Sequence, residues 1–169
     1  MKNNLIILSD IYGLSEQDWI NNYVEALKPN YKITLFDSCQ LAGLSTELDK
    51  EKRHQAFVNG GIEKAVQSLN SKVTTDTAIL GFSIGGTIAW RAALQNPKIK
   101  QLVLLSATRL RYETSKPNIP IRLYYGKKDQ FKPQEDWFQQ LDLKSTIIRK
   151  AQHEFYRENR AIALILSLL

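Results

Sequence analysis

A chain of 169 residues, 43% hydrophobic and 24% charged, has a globular composition that excludes a disordered tail or a fibrous repeat. Its length predicts one domain over residues 1–169, able to bury roughly 68–70% of its unfolded surface without a metal or disulfide staple. The longest apolar runs, Leu5–Leu8 and Ala161–Leu166, fall far short of a membrane span of roughly 18 residues, and the net charge of +6 with one cysteine, Cys39, leaves charge as the property to explain.

In chain order, short apolar runs alternate with helical patterns. Leu5-Ile6-Ile7-Leu8 reads as a buried strand. Ser15, with Asp18 three residues on, reads as a capping box opening a helix that buries Trp19, Tyr23, Val24 and Leu27 and stops at Pro29. Ile33–Phe36 is a second strand. Val58, Ile62, Ala65, Val66 and Leu69 keep helical spacing across Gly60-Gly61. Ala78–Phe82 is a third strand, followed by a helix through Ile84, Ile88, Ala89, Ala92 and Ala93 that ends near Asn96-Pro97. Leu102–Leu105 and Ile121–Tyr125 are the fourth and fifth strands. Pro133 starts a short helix carrying Trp137, Phe138 and Leu141. Thr146-Ile147-Ile148 is the sixth strand, and Asn159–Leu169 a last helix, apolar nearly all round and so expected to pack deeply.

Strands that are continuous apolar runs separated by helices indicate a parallel sheet covered on both faces. Right-handed crossovers make it an α/β doubly wound, mostly parallel six-stranded sheet. Function in such a sheet gathers beyond the carboxyl ends of the strands.

After the third strand stands Gly81-Phe82-Ser83-Ile84-Gly85-Gly86, a G-x-S-x-G on a strand-to-helix junction. A nucleophile on such an elbow takes a strained conformation, and glycines two before and two after relieve crowding between those positions. After the fifth strand, Tyr125-Gly126-Lys127-Lys128-Asp129 puts a carboxylate at the same edge, and after the sixth comes Ala151-Gln152-His153. Serine, acid and histidine thus occur in that chain order as Ser83, Asp129 and His153, each just past a strand end. A serine hydroxyl is too weak an acid to attack unaided, so an imidazole must take its proton and a carboxylate must orient the imidazole. The other histidine, His54, reads as a solvated helix position, Asp37 as a turn residue, and Asp136 and Asp142 as surface. The oxyanion needs two donors. These are expected to be the backbone amide of Ile84 and one from the turn after the first strand, Ile11 or, second, Tyr12.

With G-F-S-I-G-G as elbow, Y-Y-G-K-K-D as acid loop and A-Q-H-E-F as histidine loop, the chain resembles the α/β-hydrolase superfamily over residues 5–169. The D-I-Y-G turn and the last two loops are similar to the dienelactone-hydrolase-like and small carboxylesterase branch. The resemblance implies a minimal α/β-hydrolase fold that begins directly at the central strand, without the two leading strands of larger members. Asp10-Ile11 stands where larger members commonly carry His-Gly. Between Ser106 and Pro120 there is room only for a loop, so the site is expected to be open, with no helical cap. Arg109, Arg111, Tyr112, Tyr12, and Phe131 or Tyr156 are expected to line it.

The expected activity is a serine hydrolase cleaving carboxylic esters or thioesters through an acyl-enzyme, with no metal and no organic cofactor. The alternative is a non-catalytic binding protein on the same fold with an acidic partner. Lysines and arginines interleave with acids, as in Lys50-Glu51-Lys52-Arg53 and Glu154–Arg160, so the charge reads as a mixed surface. No motif for nucleic acid accompanies it. An open, partly basic mouth suits an acyl group on an acidic or anionic carrier, such as coenzyme A or acyl carrier protein, or an ester of a small acid. The lone thiol, the absence of a secretory leader pattern and the short apolar runs lead to the expectation of a cytoplasmic protein with no membrane partner.

Overall fold

The apolar runs pair as one all-parallel sheet, and the helices between them cover both of its faces. The computed structural model describes residues 2–15, 18–45 and 47–166. Its strands are β1 (Asn3–Leu8), β2 (Tyr31–Phe36), β3 (Thr77–Phe82), β4 (Ile99–Leu105), β5 (Ile121–Gly126) and β6 (Ser145–Ile148), in the order β2-β1-β3-β4-β5-β6. Every neighbouring pair is parallel. The centre of the sheet is therefore β3 and β4, and β1 lies one strand in from the edge, which corrects its placement as the central strand. The edges are muted. β2 presents Lys32 and Thr34 to solvent in alternation, and β6 spans four residues, features that discourage pairing with another chain.

The helices are α1 (Asp18–Leu27), α2 (Ser38–Leu41), α3 (Lys50–Ala56), α4 (Ile62–Lys72), α5 (Ile84–Ala93), α6 (Glu135–Gln140) and α7 (Asn159–Leu166). Because successive strand residues point to opposite faces, β1 to β5 each feed two cores, while β6 gives only Ile148, to one of them. Ile6, Leu8, Ile79, Leu102 and Leu104 pack with Ala65, Val66 and Leu69 of α4, Ile88 and Trp90 of α5, and Trp137 and Phe138 of α6. Leu5, Ile7, Leu80, Phe82, Val103 and Leu105 pack with Ile20, Tyr23 and Leu27 of α1 and with Phe155, Ala161 and Ile165 near the end of the chain. This two-faced burial clamps the strand ends on which the site stands.

Three helical expectations need correction. The single helix through Val58–Leu69 is broken into α3, a wide turn at Phe57–Gly61, and α4. In that turn Asn59 and Gly60 leave helical geometry, Gly60 at φ 102°, a value glycine adopts without the steric penalty of a side chain. Asp37, expected as a turn residue, instead stands at the N-terminus of the helix α2. That carboxylate caps it, with Oδ1 accepting from Cys39 N at 2.7 Å and Gln40 N at 3.1 Å, while Oδ2 accepts from Leu14 N at 2.8 Å. Finally, α7 is not deeply packed all round: it buries Ala161 and Ile165 and leaves Leu166 47% exposed. Part of the capping box at Ser15 and the end of the last helix, 167–169, lie outside the described residues. Among those residues, no helix is long and apolar enough to cross a membrane.

Candidate active site

Ser83 is the single residue between the end of β3 and the start of α5, and the junction forces it to φ 53°, ψ −116°. A non-glycine residue there carries strain of about 1–3 kcal/mol, held by its surroundings. The hold is visible: Ser83 N donates to Leu105 O at 3.0 Å, and Ser83 O accepts from Gly86 N at 3.0 Å and Thr108 N at 3.3 Å. The crowding at the elbow differs in detail from the sequence expectation. A Cβ on Gly81 would lie 2.8 Å from Gly86 Cα, whereas one on Gly85 would meet the backbone oxygens of Leu8, at 2.8 Å, and Ser9 in the neighbouring strand. The elbow glycines therefore let α5 start flush against the sheet. Gly85→Ala is expected to destabilise the fold by about 2–3 kcal/mol, as forced overpacking does, because the obstacle is strand backbone; urea titration with an unchanged slope would register it.

Two loops bring the other groups to Ser83. Asp129 follows β5 in a turn closed by Asp129 N to Gly126 O at 3.0 Å, and Lys128 N ties that turn to Ala151 O at 2.9 Å. Gly126 permits the contact, since a Cβ there would run into the carbonyl oxygens of Ala151 and Gln152. His153 opens a short 3₁₀ turn at His153–Arg157, and its own carbonyl accepts from Ser106 Oγ at 2.6 Å. Ser106 is thus a support of the histidine loop.

The result is a relay. Ser83 Oγ lies 3.0 Å from His153 Nε2, and His153 Nδ1 lies 3.0 Å from Asp129 Oδ2. The Asp129 side chain is fully buried, and its Oδ1 accepts from Phe131 N at 2.9 Å. An imidazole with its proton on Nδ1 donates to Asp129 and accepts from the Ser83 hydroxyl, the arrangement a general base requires. The Phe131 ring meets the imidazole edge-on with centroids 5.0 Å apart. His54, by contrast, is exposed on α3 at the mouth of the site and makes no contact of this kind with Ser83.

The turn after β1 is held by a buried charge network. Asp10, fully buried, accepts at Oδ1 from Tyr12 N (3.0 Å) and at Oδ2 from Tyr156 OH (3.1 Å) and Arg157 Nη2 (2.7 Å). Burial pushes the Tyr156 phenol well above its ordinary value, and the Asp10 charge adds to the rise, so it stays a donor. The Tyr12 amide is spent on Asp10. The amides of Ile11 and Ile84 have no hydrogen-bond partner among the described residues, and both residues line the same cavity as Ser83. Nearby, burial, then the Asp37 charge, pushes the Cys39 thiol up to about 11. At pH 8 about one thiol in a thousand would then be ionised. Native protein is expected to leave Ellman's reagent unreacted, with one equivalent released on denaturation.

The cavity over Ser83 has a volume of about 310 Å³. Tyr12, Arg109, Arg111, Tyr112, Phe131 and Tyr156 all line it, together with Ile11, Ile84 and His153. Sequence reasoning missed one wall: Lys50, His54, Phe57 and Val58, carried by α3 and the turn that follows it, with Thr108 and Glu154 completing the lining. The Gly60-Gly61 pair was the available sign that the chain breaks there. Among the described residues no group of three or more His, Cys, Asp or Glu side chains is placed to hold a metal ion.

No curated relative matches the chain in sequence, but solved structures share its fold. A protein assigned to the alpha/beta hydrolase superfamily from Xanthomonas campestris superposes with a TM-score of 0.68 at 17% identity, covering 100% of both chains. An alpha-beta serine hydrolase homologue from Coxiella burnetii gives 0.72 at 18% identity over 99% of this chain and 85% of that one. Est1E from Butyrivibrio proteoclasticus, with ferulic acid bound, gives 0.69 at 16% identity over 98% and 86%. These neighbours place the chain in the α/β-hydrolase fold. The family model for dienelactone hydrolases matches residues 4–162, from β1 into α7, and the chain accordingly belongs to the dienelactone hydrolase family.

Proposed function

We propose that this hydrolase cleaves carboxylic esters or thioesters through an acyl-enzyme formed on Ser83. The observation that carries the reading is the unbroken relay from Ser83 Oγ through His153 to the buried Asp129, with 3.0 Å at each step, opening into a cavity. Ser83 Oγ attacks the carbonyl carbon while its proton passes to His153 Nε2, and Asp129 stabilises the imidazolium. Negative charge collects on the carbonyl oxygen, facing the amides of Ile84 and Ile11 at the positive end of α5. His153 then returns the proton to the departing alcohol or thiol. Water enters, gives a proton to His153 and attacks the acyl carbon, and the carboxylic acid leaves as Ser83 regains its hydrogen.

The cavity chemistry supports a small acyl group. Ile11, Phe57, Val58, Ile84, Tyr112 and Phe131 supply apolar surface around Ser83, while Lys50, Arg109 and Arg111 outnumber Glu154 at the rim. That rim suits an anionic carrier or leaving group. Ester chemistry in this fold is consistent with the ferulic acid held by Est1E. The test is a panel of short acyl p-nitrophenyl esters and acyl-thioesters against the wild type and Ser83→Ala. Turnover that vanishes in the variant supports the proposal; no turnover of any member, with tight capture of an acidic protein, would replace it with a binding role.

A further inference from the structure

The turn Asp10–Gly13 carries the amide that the proposed function gives to the oxyanion, and several of its other polar groups are hydrogen-bonded. Asp10 O accepts from Gly13 N at 3.1 Å. Tyr12 N donates to Asp10 Oδ1. Ile11 O accepts from Cys39 Sγ at 3.2 Å and from Arg53 Nη1 at 3.4 Å, and the same Arg53 nitrogen donates to Tyr12 O at 3.3 Å. In a planar trans peptide the N–H points opposite to the preceding C=O. Pinning Asp10 O on Gly13 therefore sends the Ile11 N–H the other way. Reversal of the next peptide is opposed from both sides, by Asp10 on the Tyr12 N–H and by Arg53 and Cys39 on the Ile11 oxygen.

Arg53 reaches this turn from α3, a helix none of whose own residues is fully buried. A guanidinium holds its donors in a rigid planar fork, suited to gripping two carbonyl oxygens at once. On the same helix Lys50 sits over the Tyr12 ring at 5.4 Å, a second tie between α3 and the turn. The buried Cys39 thiol, protonated at neutral pH, adds a weak donor to the Ile11 oxygen.

We propose that Arg53 is a positioning residue: by gripping the carbonyl oxygens of Ile11 and Tyr12 from α3, it holds the turn in the orientation that presents the Ile11 amide to the oxyanion. This rests on the acyl-enzyme reading above. It makes α3 part of the machinery without any of its atoms touching the reacting carbonyl, and it gives the charged stretch Lys50-Glu51-Lys52-Arg53 a task.

The test follows the rate at which a fluorophosphonate labels Ser83, together with kcat and KM for p-nitrophenyl acetate, in the wild type, Arg53→Met, Arg53→Gln and Ser83→Ala. In labelling, the Ser83 Oγ–phosphorus bond forms, the phosphorus–fluorine bond breaks, fluoride leaves and His153 takes the proton, while the phosphoryl oxygen occupies the oxyanion position. Arg53→Met is expected to lower the labelling rate and kcat together by about 10- to 100-fold, below or at the loss of one whole oxyanion donor, with KM within about twofold. Labelling at the wild-type rate, or a fall that only tracks the folded fraction in a melting curve, overturns the proposal. Should Arg53→Met fail to fold, Arg53→Gln is read by the same criterion. Unlabelled Ser83 in the wild type, or turnover retained by Ser83→Ala, would instead overturn the acyl-enzyme reading itself.

Discussion

Replacing Ser83 by alanine is expected to lower kcat by roughly 10⁵–10⁶-fold, the scale seen when a serine hydrolase loses its nucleophile alone. Binding and fold should persist. Ser83 sits at the elbow because of backbone constraints: its amide is bound to Leu105 O, its carbonyl to Gly86 N and Thr108 N, and Ala keeps both. The one bond lost is Oγ to His153 Nε2, on an imidazole whose side chain retains 19% of its exposure and so finds water. The melting temperature should therefore shift little while turnover disappears. Steady-state kinetics with a circular-dichroism melt separates the two effects. A variant keeping more than about a per cent of wild-type kcat, against the expected loss, would place the chemistry on another residue.

The contrast between what could and could not be read in advance has a physical pattern. The four inner strands were legible because a strand buried on both faces is a continuous apolar run, as Leu5–Leu8 and Leu102–Leu105 are, while the edge strands β2 and β6 showed only as short apolar or β-branched stretches. The serine, acid and histidine were legible as candidates because each falls in the segment that follows a strand: Ser83 after β3, Asp129 after β5 and His153 after β6. The pocket wall at α3 was not, since a helix with no buried residue has no apolar period to detect; its marks are the Asp49 cap, which accepts from Lys52 N at 2.9 Å, and the glycine that breaks the chain at 60. The Asp37 cap of α2 looked like any turn carboxylate until its amide partners were in place. The turn after β1 is harder still. An amide donor leaves no trace in residue type, and the Tyr12 amide is taken up by a buried carboxylate, Asp10, whose partners Tyr156 and Arg157 lie at the other end of the chain.

Asp129→Asn should be the second most damaging change, with kcat reduced about 10⁴-fold and the overall geometry intact. The reason lies in the two oxygens of the carboxylate. Oδ1 accepts from Phe131 N, a backbone donor that cannot turn away, and Oδ2 faces His153 Nδ1. An asparagine must place its carbonyl oxygen toward Phe131, because presenting its NH₂ there would set donor against donor in a buried site. Its NH₂ then faces His153 Nδ1, which can bond to it only as an acceptor. The imidazole proton moves to Nε2 and points at Ser83 Oγ, where a base is needed and a donor now stands. Fluorophosphonate labelling of Ser83 should slow in parallel with kcat, while KM changes little. The tautomer itself is observable, since the His153 ring nitrogens give distinct ¹⁵N shifts for the protonated and bare positions. If Asp129→Asn kept a tenth or more of wild-type kcat with His153 still protonated on Nδ1, Asp129 would not be the group that orients the base.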